Sequence, residues 1–234
     1  MEMLRLAGEF TAFDAAAVAL LLLSWFGIGR MIEHPGARRR SVTVMMSQYR
    51  RDWMARMAER DNRIFDSNIM GSLRQGTAFF ASTSIIAIGG ISTIAGNTDT
   101  LRAVVGGLLA DPRPIEVFQV KLVAVALLLT NGFLRFVWAN RVFGYCSVLM
   151  GAVPEPGRPD CALVARQAAE MNVRAAWNFN RGLRALYFSL AALTWTLGAG
   201  ALMIATAATV WTLWRREFAS NSWRILHERD DGSS

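Results

Sequence analysis

Two stretches of this chain carry no charged residue for longer than a soluble helix tolerates: residues 75–98, 24 in a row, and residues 185–214, 30 in a row. A helix on a protein surface needs a solvated face, so uncharged runs of this length point to spans through a hydrocarbon core, each needing about 20 residues. With two further apolar runs the expected spans are residues 11–29, 77–95, 117–137 and 186–214. The expected fold class is an all-α membrane protein with four transmembrane helices. Residues 1–234 then form a single integral membrane domain, carrying long amphipathic cytoplasmic helical extensions at about 42–75 and 161–184.

The first run could be taken for the apolar part of a secretory signal, but its flanks argue against that. Glu2, Glu9 and Asp14 outnumber Arg5 before it, whereas a signal has a basic front, and Arg30 and Arg38–Arg40 follow it. It is read as a retained span. Lys121 and Arg135 interrupt the third run near its ends, where long side chains are expected to snorkel to the interface.

Charge placement sets the expected orientation. Of 25 basic residues 24 are arginine, and the formal net charge is +7. Residues 30–74 and 135–184 hold 17 of the 25 and the rest of the chain holds 8. Basic residues accumulate on the cytoplasmic side, so both long loops are expected inside a bacterial-type inner membrane and both termini outside the cytoplasm. Such juxtamembrane arginines meet anionic lipid headgroups rather than a nucleic-acid groove, so membrane lipids are the expected partner and no nucleic acid is.

The first inner loop is amphipathic. Met46, Tyr49, Trp53 and Met57 recur three or four apart, while Arg50, Arg51, Arg56, Glu59, Arg60 and Arg63 take the other face, which predicts one long helix. In the second loop the run Pro154-Glu155-Pro156-Gly157-Arg158-Pro159 stops one helix and Asp160 caps the next. Residues 103–110 are apolar but too short to span, which predicts an interfacial or re-entrant piece. The last twenty residues read as an interfacial helix followed by a disordered tail.

The chemistry is marked by what is missing. Cys146 and Cys161 stand 15 apart with no histidine beside them, and His34 and His227 fall on opposite sides of the expected topology, so neither zinc nor axial haem ligation is suggested. There is no G-x-G-x-x-G, P-loop or H-E-x-x-H pattern. No catalytic residue, metal or cofactor is expected.

Candidate functional positions therefore come from residue types that are costly or unusual in hydrocarbon. Ala78, Ser82, Gly89, Thr93 and Gly96 approximate the small-xxx-small spacing that lets membrane helices approach closely. Arg74, Arg135 and Arg184 fall at the inner ends of three spans, with Asn131 and Asn180 one turn away from Arg135 and Arg184, an arrangement suited to an anion or a lipid headgroup. Two readings follow. One is a structural or accessory subunit that forms an oligomer or joins a larger membrane complex; the other is a homo-oligomeric small-ion channel or transporter, anion-leaning if its basic inner rim faces the path.

Three stretches carry a family likeness: "RDNRIFDSNIMGSLRQGTAFFASTSIIAIGG", "LRFVWANRVFGYCSVLMGAVP", and "NFNRGLRALYFSLAALTWTL" with "WRREFAS". Together they resemble the domain-of-unknown-function family 599, multi-pass membrane proteins of bacteria and plants. The resemblance covers most of the chain and implies a helical integral membrane protein. It implies no activity and no functional residues.

Overall fold

The computed structural model describes residues 9–36, 39–108 and 114–231. The described chain is all-α: α1 (Ala12–Glu33), α2 (Val42–Ala58), α3 (Ile64–Gly96), α4 (Thr98–Leu108), α5 (Ile115–Ala152), α6 (Cys161–Leu193), a 3-10 turn (Thr194–Leu197), α7 (Ala199–Phe218) and α8 (Asn221–Asp231). Among them α1, α3 and α5 are long and apolar enough to cross a membrane. The chain divides into two compact units, one from Met1–Gly29, Thr83–Gly132 and Leu183–Trp214, the other from Arg30–Ser82, Phe133–Gly182 and Arg215–Ser234.

In the first unit the start of α1 is fixed by a reciprocal cap. Thr11 N donates to Asp14 Oδ2 at 3.2 Å and Asp14 N donates to Thr11 Oγ1 at 3.1 Å, satisfying two of the donors that a helix start leaves open. Asp14 is also 3% exposed and accepts from the Trp195 indole N–H at 2.7 Å. Lys121 does not snorkel. It is fully buried, donates to the Trp195 carbonyl at 3.0 Å, and lies 5.2 and 5.5 Å from the ring centres of Phe118 and Trp195. A carbonyl, two aromatic faces and the nearby Asp14 charge replace water around this ammonium. The apolar stretch read as an interfacial piece is helical through Leu108, in α4. Its Leu101 packs with Phe118 and Leu122, while residues 109–113 lie outside the described residues.

The expected fourth span over residues 186–214 is not one helix. Thr194 and Thr196 turn their hydroxyls onto the carbonyls of Ala191 and Leu193, both at 2.7 Å, and the backbone tightens into the 3-10 turn. Gly198 follows with φ 124 and ψ 165, a conformation essentially restricted to glycine, and α7 starts beyond it.

The second unit is built around Met54, Met57, Met70, Phe143, Cys146 and, on α6, Ala165, Ala168, Ala169, Ala175 and Ala176, all buried. Ser41 caps α2, accepting from Val44 N at 3.2 Å while donating to the Ile32 carbonyl at 2.7 Å. The single helix expected over 42–75 is broken at residues 59–63, and the chain restarts with Asn62 Oδ1 accepting from Ile64 N. Side chains hold the break. Asp66, fully buried, accepts from the Trp53 indole at 2.6 Å and from Arg60 at 2.7 Å, and Arg63 donates to the carbonyls of Val153 and Pro154.

The expected apolar face of α2 is also rotated. Met57 is fully buried, but Met46 is 38% exposed, and Tyr49 and Trp53 are half-buried. The inward row is Thr43, Ser47, Arg50, Met54 and Met57, spaced four and three apart; its first three members are polar with polar partners. An apolar pattern could not register such a row.

One expected orientation fails on contact alone. Glu217 accepts from both the backbone N–H and the hydroxyl of Thr43, Arg39 donates to the Phe218 carbonyl, and the Trp223 indole donates to the Arg40 carbonyl. Residues 39–43 and 217–223 therefore lie together and cannot occupy opposite sides of a bilayer. The expectation of both termini outside rested on a single crossing by residues 186–214, and it is this contact that opposes it. His34 and His227 consequently lose their assignment to opposite sides.

Candidate functional site

Of the five residues expected as an anion or headgroup set, Arg74, Arg135 and Asn180 belong to the second unit and Asn131 and Arg184 to the first. Arg74 Nε donates to Asn140 Oδ1 at 3.4 Å, and Arg135 Nη1 donates to Asn178 Oδ1 at 3.3 Å. Asn180 spends its amide on the Thr43 hydroxyl at 3.3 Å. Arg184, in the first unit, is 6% exposed and runs beside Gly29, where an added Cβ would lie 3.8 Å from the guanidinium Nε, an ordinary contact. Asn131, half-buried, belongs to the first unit as well. Within the second unit Arg74 and Arg135 each bond a separate amide.

What the structure does bring together around Arg74 is a groove of about 560 Å³ in the second unit, between α3 and α5. Its polar belt is Arg74, Asn140, Arg141 and Tyr145; Arg141 Nε donates to the Tyr145 hydroxyl at 2.5 Å with the guanidinium 5.7 Å from the ring centre. Its walls are small or apolar: Ala78, Ala81 and Ser82 on α3, and Val137, Gly144 and Val148 on α5. No carboxylate lines it. The spacing that could have revealed it is Val137, Asn140, Arg141, Gly144, Tyr145 and Val148, one face of a helix that continues beyond the apolar run.

The small-residue row of α3 divides. Ala78 and Ser82 line the groove, whereas Gly89, Thr93 and Gly96 are exposed, and a Cβ placed on Gly89 or Gly96 would meet nothing within 4 Å. Only 6% of the most apolar stretch of α3 is buried.

Sequence reasoning also missed the polar joint between α2 and α6. Arg50 donates to Asn172 Oδ1 at 2.5 Å, the Trp177 indole donates to Ser47 at 2.9 Å, and Asn172 is fully buried with its Nδ2 unpaired. Burial holds the Arg50 guanidinium below its usual pKa, the neighbouring Cys146 opposing the shift slightly. Nearby, Arg51 pairs with Glu170 at 2.7 Å on the rim of a second cavity of about 560 Å³, which the half-buried Cys161 thiol also lines. Arg181 forms a fork with Glu33, one arm at 2.8 Å, and that carboxylate raises the arginine's pKa. Among the described residues no group of three or more His, Cys, Asp or Glu is placed to hold a metal.

No curated protein and no solved structure matches the chain. A family model does, over residues 16–222, which take in most of α1, every element from α2 to α7 and the start of α8. By that match the chain belongs to the family described as Protein of unknown function, DUF599.

Proposed function

We propose that this chain is a non-enzymatic, multi-pass inner-membrane protein that associates through α3, with a second copy or a larger complex, as a structural or accessory subunit. α1, α3 and α5 cross the bilayer, and α6 and α7 form a hairpin that enters from the cytoplasmic side and returns to it. Two observations support the hairpin: the break at Gly198, and the meeting of Asn180 on α6 with Glu217 on α7 at the same Thr43. With the C-terminal segment moved inside, 21 of the 25 basic residues are cytoplasmic, a stronger asymmetry than four single crossings give.

The observation that carries the association is the exposed row Ser82, Ile86, Gly89, Thr93 and Gly96 on a helix whose apolar stretch is 6% buried. Lipid tails gain little from glycine, whereas a second helix can approach it closely. Gly89→Cys should cross-link to a dimer in native membranes, and Gly89→Leu should lower the oligomer mass. Leu23→Cys, at a 73% exposed position of α1, is the control. A Gly89→Cys chain that stays monomeric, with unchanged mass in the leucine variant, rejects the reading. An anion-conducting oligomer draws no support from the arginines, since Arg74 and Arg135 engage separate amides.

A further inference from the structure

We propose that the groove between α3 and α5 binds one anionic phospholipid, its phosphate held by Arg74 and Arg141 and an acyl chain laid along the small-residue wall. The inference rests on the membrane placement proposed above but not on self-association.

Charge complementarity selects the occupant. Arg74 and Arg141 have no carboxylate partner among the described residues, and each spends one Nε–H on a neutral oxygen, on Asn140 and Tyr145. Those contacts hold each guanidinium by one edge and leave the Nη donors for a ligand. Asn140 Nδ2 and the Tyr145 hydroxyl proton remain as neutral donors beside them, so the belt is rich in donors and lacks anionic acceptors. A phosphodiester supplies what is missing, and guanidinium groups match its oxygens two at a time.

The walls argue for a lipid rather than a free anion. α3 and α5 face each other with Arg74 opposite Asn140, so the next turn toward the C-terminal end of α3 brings Ala78, Ala81 and Val137 together. These side chains are short and leave a trough, and the residues that follow Ala78 and Val137 in sequence, Phe79 and Trp138, are 65% and 50% exposed. A polar belt at the inner end of a span followed by an apolar trough is the profile of a headgroup with its chain.

The test uses the full chain in a zwitterionic detergent and follows its unfolding temperature. Phosphatidylglycerol at about a hundredfold excess over its Kd should raise that temperature by on the order of 5 °C or more. Phosphatidylcholine and inorganic phosphate at the same concentration should not. Arg74→Gln with Arg141→Gln should abolish the rise, and the double lysine variant should keep part of it, since charge remains but the fork is lost. If the glutamine pair does not fold, Tyr145→Phe carries the test with an expected smaller shift. An equal rise with phosphate alone would assign a free-anion site, an equal rise with phosphatidylcholine a purely apolar groove, and a rise surviving in the glutamine pair a different site; each overturns the proposal. So does the absence of any rise, and a lower oligomer mass in the glutamine pair would then name a second copy as the occupant. The Gly89→Cys cross-link reads self-association separately.

Discussion

Glu217 grips Thr43 twice, taking its backbone N–H at 3.0 Å and its hydroxyl at 2.9 Å across 174 residues of sequence. The first bond satisfies a donor that the start of α2 leaves open, and a carboxylate near a helix N-terminus is favoured by the helix dipole. The contact thus ties the end of α7 to the beginning of α2.

This tie gives a topology prediction. In a Cys146→Ala, Cys161→Ala background, single cysteines at Glu155 and Ser222, both exposed, should be protected from an impermeant thiol reagent in intact cells and labelled after permeabilisation. A cysteine at Thr100, at the start of α4, should label in intact cells. Labelling of Ser222→Cys with protection of Glu155→Cys would restore a single crossing by residues 186–214.

A second prediction concerns the break before α3. Trp53→Phe keeps the ring but removes the donor to Asp66, whose other oxygen already lacks a partner. The expected loss is about 1–3 kcal/mol. Met57→Ala, at a fully buried position, should cost more, about 2–5 kcal/mol. Arg56→Gln, on the exposed face, should stay within about 0.5 kcal/mol. Denaturant titration in detergent ranks the three, and equal losses would mean that α2 is not packed as described.

How much of this was legible in the sequence depends on how each feature is encoded. The long apolar helices α1, α3 and α5 were readable because a run with little charge has few alternatives, and α6 because a proline cluster and Asp160 mark its start. The break at residues 194–198 was hidden: Thr-Trp-Thr-Leu-Gly is as apolar as its surroundings, and only backbone geometry shows that the threonine hydroxyls compete for carbonyls. The break at 59–63 contains neither glycine nor proline, and tertiary bonds from Arg60 and Arg63 hold it. The groove joins Arg74, singled out by its place at a span end, to Arg141 and Tyr145, which were not singled out, because pairing across two helices is a distance that spacing along one helix does not contain.

Gly182 supplies a third prediction whose sign opposes helix propensity. Glycine inside α6 should gain up to about 1 kcal/mol on replacement by alanine. A Cβ there, however, would lie 2.7 Å from Cε1 of Phe136, a fully buried ring stacked on Phe80 at 5.4 Å and packed against Phe179. The ring has nowhere to go, so Gly182→Ala should destabilise by about 1–3 kcal/mol. Gly76→Ala, with nothing within 4 Å of its Cβ, should be neutral or stabilising. Stabilisation by both substitutions in the same unfolding measurement would show that the aromatic cluster yields.

The last prediction concerns the joint of Arg50 and Asn172. Arg50 is a half-buried cation whose side-chain bond goes to a neutral amide, and that amide is fully buried with Nδ2 unpaired. The pair therefore carries a desolvation cost that no opposite charge offsets. Removing one partner should make this worse. Arg50→Met strands both ends of the amide and should cost about 1–3 kcal/mol. Asn172→Leu strands the guanidinium, whose cost is moderated by the part still reached by water. Replacing both removes the polar groups together and leaves a thioether and an isobutyl group beside the methionine and alanine core formed by Met54, Cys146 and Ala168. The double variant should then be at least as stable as the better single one, with a coupling of about 0.5–3 kcal/mol in a double-mutant cycle. Strictly additive losses would show that Arg50 and Asn172 act independently, and that the short contact between them does not hold α2 to α6.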